Sequence, residues 1–154
     1  MADILSPEER SRVMSRIRGK NTKIEQIIRR GLFAKGFRFR LHDRKLPGKP
    51  DLVFPRYRTV LFVNGCFWHG HDCHLFRRPS TNRDFWDAKI QKNRDNDRKK
   101  ISLLVESGWK VITIWECALR GKKDQDIAVV LEAVAERICK DFTEKNSSIA
   151  GPDK

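Results

Sequence analysis

One stretch, Val60 to Phe76 (VLFVNGCFWHGHDCHLF), constrains this chain more than any other. It opens on an apolar run of strand character, rich in the β-branched and aromatic residues that fit a pleated surface. Two cysteines, three histidines and a Phe-Trp pair follow, and Gly65 and Gly70 allow the chain to fold back sharply. Thiols and imidazoles are thus gathered in one tight loop at the end of a buried strand. Cys66, His71 and Cys73 are spaced C-x4-H-x-C, and Cys117 lies at the end of a later apolar strand. A structural zinc site takes four nitrogen or sulfur ligands in a tetrahedron. Three ligands from the loop and one from a neighbouring strand would pin the loop to the sheet. His74 or His69 could replace His71 in that set, and the competing reading is a group of ordinary buried thiols. Cys139, on the last helix, reads as a plain core residue. No secretory signal precedes these cysteines, so ligands are expected rather than disulfides.

The rest of the chain supplies the sheet and its cover. SPEERSRVMSRIRG reads as a helix with Ser6 as N-cap, Pro7 at the first helical position and Glu9 completing a capping box. Val13, Met14 and Ile17 are its apolar content amid arginines, which suits an arm lying on an anionic partner. In TKIEQIIRRGLFAKG a second capping box pairs Thr22 with Glu25. Ile24, Ile27, Ile28 and Leu32 form one apolar stripe, and Gly36 reads as the C-cap. FRFRL alternates as a strand, PGKP turns the chain, and DLVF and TVLFV are short apolar strands joined by PRYR. A charged helix is expected from about Asn82 to Ser107, ended by Gly108, then the strand WKVITIWE and an amphipathic helix over residues 124–140. The tail, EKNSSIAGPDK, reads as disordered. The order α-α-β-β-β-α-β-α predicts an α/β fold, a mixed sheet with helices on its faces. At 154 residues one domain over 1–140 is expected, with a basic arm at 1–20 and a flexible tail at 141–154.

Charge narrows the partner. The formal net charge is +13. Residues 1–46 hold 13 Lys and Arg against 5 Asp and Glu, and residues 47–100 hold 12 against 6. Residues 101–154 hold 8 against 9, so the positive charge lies in the first two thirds. That asymmetry predicts a polyanion-binding face, with nucleic acid the first expectation. If roughly 6–10 basic residues meet phosphates, binding should weaken by ~10³ or more between 50 and 200 mM salt. No apolar run is long enough to span a bilayer and no signal-peptide core opens the chain, so a soluble, intracellular protein is expected.

Four side chains could carry chemistry. Asp51 follows a turn at the start of a strand, beside basic residues, and its carboxylate oxygens suit Mg²⁺. A lone Pro-Asp pair is usually just a turn, and Val63-Asn64 at the end of the next strand is not the acid-x-lysine of the common nuclease pattern. His69, between presumed zinc ligands, could be a free imidazole suited to proton transfer near neutral pH. Glu25 is already explained by its capping box, and Asp97 in KNRDNDRKK reads alone as one charge on a solvated helix face.

Together, RSRVMSRIRGKNTKIE, LPGKPDLVF, GCFWHGHDCHLF, FWDAKIQKNRDND and GWKVITIWECALRG change these weights. In this order and spacing, over roughly residues 8 to 140, the chain resembles the very short patch repair (Vsr) endonucleases. These bacterial enzymes nick DNA at thymine–guanine mismatches left by deamination of 5-methylcytosine. The resemblance implies a restriction-endonuclease-like α/β core with a structural zinc site. It implies Asp51 as the principal ligand of a catalytic Mg²⁺, assisted by the backbone carbonyl of Val63. His69 would act on the attacking water, with Glu25 and Asp97 orienting the histidine or metal-bound water. Cys66, His71, Cys73 and Cys117 would be the Zn²⁺ ligands. Phe67 and Trp68 would wedge into the base stack beside the mismatch, Trp86 would support them, and Met14 would sit in an arm embracing the DNA from the minor groove. The implied setting is a cytoplasmic, nucleoid-associated monomer acting on double-stranded DNA with a T:G mismatch, away from any membrane.

One departure stands out. The best-known member of that family has Thr-His where this chain has Val63-Asn64. A backbone carbonyl tolerates the valine. Asn64 can hydrogen-bond a phosphate but cannot take a proton, which shifts proton work to His69. The rival expectations are a zinc-stabilised, non-catalytic DNA-binding protein and a restriction-type nuclease of the same fold.

Overall fold

In a computed structural model, which describes residues 22–77, 79–140 and 146–150, Thr22 starts the first helix. Its Oγ1 accepts a hydrogen bond from the Glu25 N–H at 3.2 Å, the capping contact that the sequence predicts. This helix, α1 (Lys23–Ala34), buries Glu25, Ile28 and Leu32 on one face. It ends where the Phe37 N–H reaches the Leu32 carbonyl at 3.1 Å and the Gly36 N–H reaches that of Phe33 at 3.0 Å. The expected N-terminal helix, with Met14, and most of the proposed tail lie outside the described residues.

Five strands follow or interleave: β1 (Arg40–Leu41), β2 (Leu52–Phe54), β3 (Thr59–Asn64), β4 (Lys110–Trp115) and β5 (Asn146–Ile149). Two helices separate them, α2 (Arg83–Glu106) before β4 and α3 (Asp124–Cys139) after it. The sheet order is β1-β2-β3-β4-β5. β1–β2 and β2–β3 pair antiparallel, whereas β3–β4 and β4–β5 pair parallel. The sheet is therefore mixed, as expected. Its parallel half needs the long crossover that α2 supplies.

Both faces are covered, which explains why the strands are apolar without a polar side. On one face Leu52, Phe54, Leu61, Ile112 and Ile114 pack with Ile28 and Leu32 of α1 and with Val134 and Ile138 of α3. On the other, Val53, Val60, Phe62 and Val111 pack with Leu104 of α2. The strict alternation along β2 and β3 assigns each side chain to one layer. Lys110 is buried at the start of β4, and its Nζ donates to the carbonyls of Arg137, Ile138 and Lys140. An ammonium is thus paired with the negative end of α3.

Three expectations are corrected. FRFRL contributes only Arg40–Leu41 to the sheet, because its aromatics turn inward to the layer beneath: Phe39 meets Phe54 edge-on at 5.7 Å. Cys139 is exposed rather than in the core; it is the last residue of α3, beyond the buried Ile138. Within the segment read as disordered, Asn146–Ile149 pairs with β4, and Ile149 joins the core. Residues 141–145 and 151–154 lie outside the described residues.

Candidate active site

Asp51 stands immediately before β2, opposite the end of β3. Its Oδ2 accepts a hydrogen bond from the Val63 N–H at 2.7 Å. Burial pushes the carboxyl up from 3.8 to about 6, against that hydrogen bond and with help from the nearby charge of Glu25. Two carboxylates have therefore been brought together in a shielded place. A third group joins them: His42, whose Nδ1 lies 3.6 Å from Asp51 Oδ1 and whose Nε2 lies 3.5 Å from Glu25 Oε2. Arg29 Nη2 approaches the same Glu25 oxygen at 3.7 Å. One ligand atom each from Glu25, His42 and Asp51 falls within 4.8 Å of the others. Such a set fits a divalent cation, which would relieve the repulsion between the carboxylates. The residues expected to serve a metal, Asp51 and Glu25, thus meet in space although α1 and β2 are separated in sequence.

His69 belongs to the loop after β3. Its Nδ1 pairs with Asp97 Oδ2 on α2. Lys100 Nζ holds the other oxygen of Asp97 at 2.9 Å. Burial alone would raise the Asp97 carboxyl, but the hydrogen bonds from His69 and Lys100 outweigh it and hold the group below its ordinary value. An ionised Asp97 can only accept, so His69 Nδ1 is the donor in this pair. Asp97 is therefore paired with His69 and Lys100 and is not a lone charge on a solvated face. Lys100 also lowers the proton affinity of Asp51, so one cation is felt by both carboxylate centres. Its stem lies against the turn before Asp51. A Cβ at Gly48 would stand 2.4 Å from Lys100 Cδ.

The loop is held from α2 by its backbone. Asn93 Nδ2 donates to the Trp68 carbonyl at 2.7 Å, and Arg94 donates to those of His69 and Gly70. Gly70 has φ +60°, and a Cβ there would stand 2.5 Å from Ile90 Cγ2. Only glycine permits this approach.

Cys66, His71, Cys73 and Cys117 converge, with one ligand atom from each within 4.8 Å of the rest. All three cysteines are buried. The Cys117 N–H donates to Cys66 Sγ at 3.3 Å, and His71 Nδ1 lies 3.7 Å from Cys117 Sγ. Burial pushes the Cys66 thiol up, and the neighbouring thiols add to it. Three crowded thiols cannot ionise together without a cation, and a soft one fits this donor set. His71, not His69 or His74, joins the cysteines; its ring stacks on Trp115 at 4.1 Å and 12°.

Phe67, Trp68 and Trp86 form one aromatic cluster. Phe67 meets Trp68 at 5.3 Å and Trp86 at 5.4 Å, and the two tryptophans lie 5.9 Å apart. Trp86 is buried, whereas Phe67 and Trp68 are only half-buried. Asn64 is buried at the end of β3, opposite Trp115.

Sequence reading missed His42, Lys100 and Trp115. Lys100 sits three residues after Asp97, a spacing at which helix side chains meet, so that signal was present. His42 carries no motif; only the β1–β2 pairing brings it to Asp51.

Comparison with known proteins now decides the family. A profile described as DNA mismatch endonuclease Vsr matches residues 2–75. The DNA mismatch endonuclease Vsr of Escherichia coli (strain K12) is 45% identical over 139 residues, covering 90% of this chain and 89% of that protein. The chain belongs to the Vsr family of DNA mismatch endonucleases. Two further relatives carry nicking in their names. The Type II nicking enzyme V.XorIIP of Xanthomonas oryzae pv. oryzae (strain KACC10331 / KXO85) is 49% identical over 119 residues, 77% of this chain and 88% of its own length. V.NmeAIP of Neisseria meningitidis serogroup A / serotype 4A (strain DSM 15465 / Z2491), also a Type II nicking enzyme, is 47% identical over 122 residues, 79% of this chain and 87% of its own.

Proposed function

We propose that this Vsr-family chain nicks one strand of duplex DNA beside the thymine of a T:G mismatch arising from 5-methylcytosine deamination, starting very short patch repair. It is a DNA mismatch endonuclease by family, and the nicking relatives fit single-strand cleavage. The observation that carries the catalytic reading is the pairing of His69 Nδ1 with Asp97, whose other oxygen takes Lys100 Nζ at 2.9 Å, alongside the gathering of Asp51 with Glu25 and His42 at one cation-sized site. A positioned imidazole and a carboxylate centre are the two parts that metal-assisted phosphodiester hydrolysis needs.

In this reading Asp51 and the Val63 backbone carbonyl would hold a Mg²⁺ ion, with Glu25 placed to orient water beside it. When bound, Mg²⁺ would offset charge on the phosphate and lower the pKa of a water. His69 takes the proton of the attacking water at Nε2, while Asp97 fixes the ring and stabilises the imidazolium that forms. Asn64, where the resemblance places a histidine, donates to phosphate. The cysteine cluster with His71 would hold a structural Zn²⁺ and keep the loop rigid beneath Phe67 and Trp68. These two enter the base stack, at a mismatched step that is cheaper to open than a paired one, with Trp86 behind them. The sheet and its three described helices support a restriction-endonuclease-like core.

The test is direct. The protein with Mg²⁺ is incubated with T:G and fully paired duplexes of one sequence. Nicking confined to the mismatched duplex is expected, and Asp51→Ala should abolish it while leaving binding intact. Cleavage of paired DNA would favour the restriction-type alternative, and no cleavage of either the non-catalytic one.

A further inference from the structure

His42 has an unusual position for a histidine in a turn. Its backbone adopts φ +47°, in the left-handed region, and its N–H is held by the Asp51 carbonyl at 3.1 Å. Such a conformation in a non-glycine residue is strained and persists only where its surroundings fix it. The ring is thereby driven between Asp51 and Glu25. Its two nitrogens stand 3.6 and 3.5 Å from carboxylate oxygens, too long for good hydrogen bonds. Nε2 is shielded from solvent and has no hydrogen-bond partner among the described residues. A buried polar atom in that state calls for an explanation.

A shared cation supplies one. Neighbouring ligands of an octahedral ion at ~2.1 Å stand about 3 Å apart, so with Nε2 as the ligand atom its 3.5 Å spacing from Glu25 Oε2 needs to close by only about half an ångström, and one ligand atom of Asp51 lies within 4.8 Å of both. We propose that His42 is a direct nitrogen ligand of the divalent cation held by Asp51, making the site a mixed carboxylate–imidazole centre. The inference rests on the reading of Asp51 as a cation ligand. Its chemical consequence is selectivity. Mg²⁺ is a hard ion that prefers oxygen, whereas imidazole suits transition-metal ions. The site therefore favours Mn²⁺ over Mg²⁺ more strongly than an all-oxygen site would.

Mn²⁺ alone, added to the full-length chain as purified and without DNA, tests this. Bound ion is counted by electron paramagnetic resonance, and its ligands are read from ¹⁴N modulation in the pulsed experiment. The wild type is expected to show imidazole ¹⁴N coupling. His42→Asn, chosen because asparagine tolerates the left-handed backbone, should lose that coupling and bind at least about tenfold more weakly. Mn²⁺ bound by the wild type without ¹⁴N coupling overturns the proposal, and so does coupling that survives in His42→Asn. Asp51→Asn separates the two layers of the argument. Mn²⁺ binding lost in that variant, with no ¹⁴N coupling in the wild type, removes His42 and leaves Asp51 in place. Binding undiminished in Asp51→Asn overturns both.

Discussion

Asp51 Oδ2 accepts the Val63 N–H at 2.7 Å, so the carboxylate at the start of β2 is fixed to the end of β3. Even with that bond, burial leaves the group with a pKa of about 6. The charged form therefore costs more in the folded chain than in water, and four consequences of the site's construction can be measured.

The first concerns stability. Because the folded pKa of Asp51 is raised above 3.8, its contribution is fully present below about pH 4 and is lost as pH rises through about 6. The difference corresponds to about 3 kcal/mol. Without added divalent cation, Asp51→Asn should melt at a higher temperature than the wild type at pH 8, with the gap vanishing near pH 4. Melting curves across that range check it, and a gap independent of pH would contradict the buried-carboxylate reading.

The second concerns His69. Removing its imidazole should lower kcat by about 10²–10⁴, the usual range for a general base. Asp97→Ala should also slow the reaction. The double variant should be no slower than His69→Ala alone, because Asp97 acts through the ring. Single-turnover nicking rates of the four proteins give the answer; additive losses would place Asp97 on a separate task.

Cysteine variants form the third. Cys117→Ser should lose one equivalent of bound zinc and lower Tm on the order of 10 °C or more. Cys139→Ser, at an exposed site, should change neither. Elemental analysis and melting curves decide it, and full zinc content in Cys117→Ser would remove that residue from the ligand set.

Trp68 yields the fourth. It is half-buried in the aromatic cluster, so truncation should leave a folded protein. Trp68→Ala is expected to reduce kcat/KM on the mismatched duplex by about 10- to 100-fold, the equivalent of the 1–3 kcal/mol that a base–aromatic stack is worth. An unchanged value would return Trp68 to core packing.

Much of the fold was legible because local chemistry and packing agree. Thr22 reads as an N-cap and is one, and Gly108 follows the end of α2 as expected. The failures are equally physical. Asn146–Ile149 is too polar to announce a strand, and it pairs because β4 otherwise presents an open edge. FRFRL alternates, yet its aromatics are recruited to the core beneath β2 rather than to a longer ladder. In the site, motif spacing grouped Cys66, His71, Cys73 and Cys117, which do converge, whereas Asp51 and His69 stood out through the family resemblance rather than through spacing. His42 escaped because its role arises only from the pairing of Leu41 with Leu52, a contact no periodicity encodes.

The parallel pairing of β3 with β4 ends at Asn64 opposite Trp115. Cys66 and Cys117 each lie two residues beyond that last pair, and the Cys117 N–H still reaches Cys66 Sγ. Past that pair neither chain stays extended: Cys66 opens a turn and Cys117 sits in the short helical turn Glu116–Ala118, so the two thiols meet just beyond the paired strand ends. A slip of one residue between the strands would move Cys117 about 3.3 Å along the sheet and break up the quartet. An ion captured at this point would inspect strand alignment: only a correctly matched sheet would close the clasp.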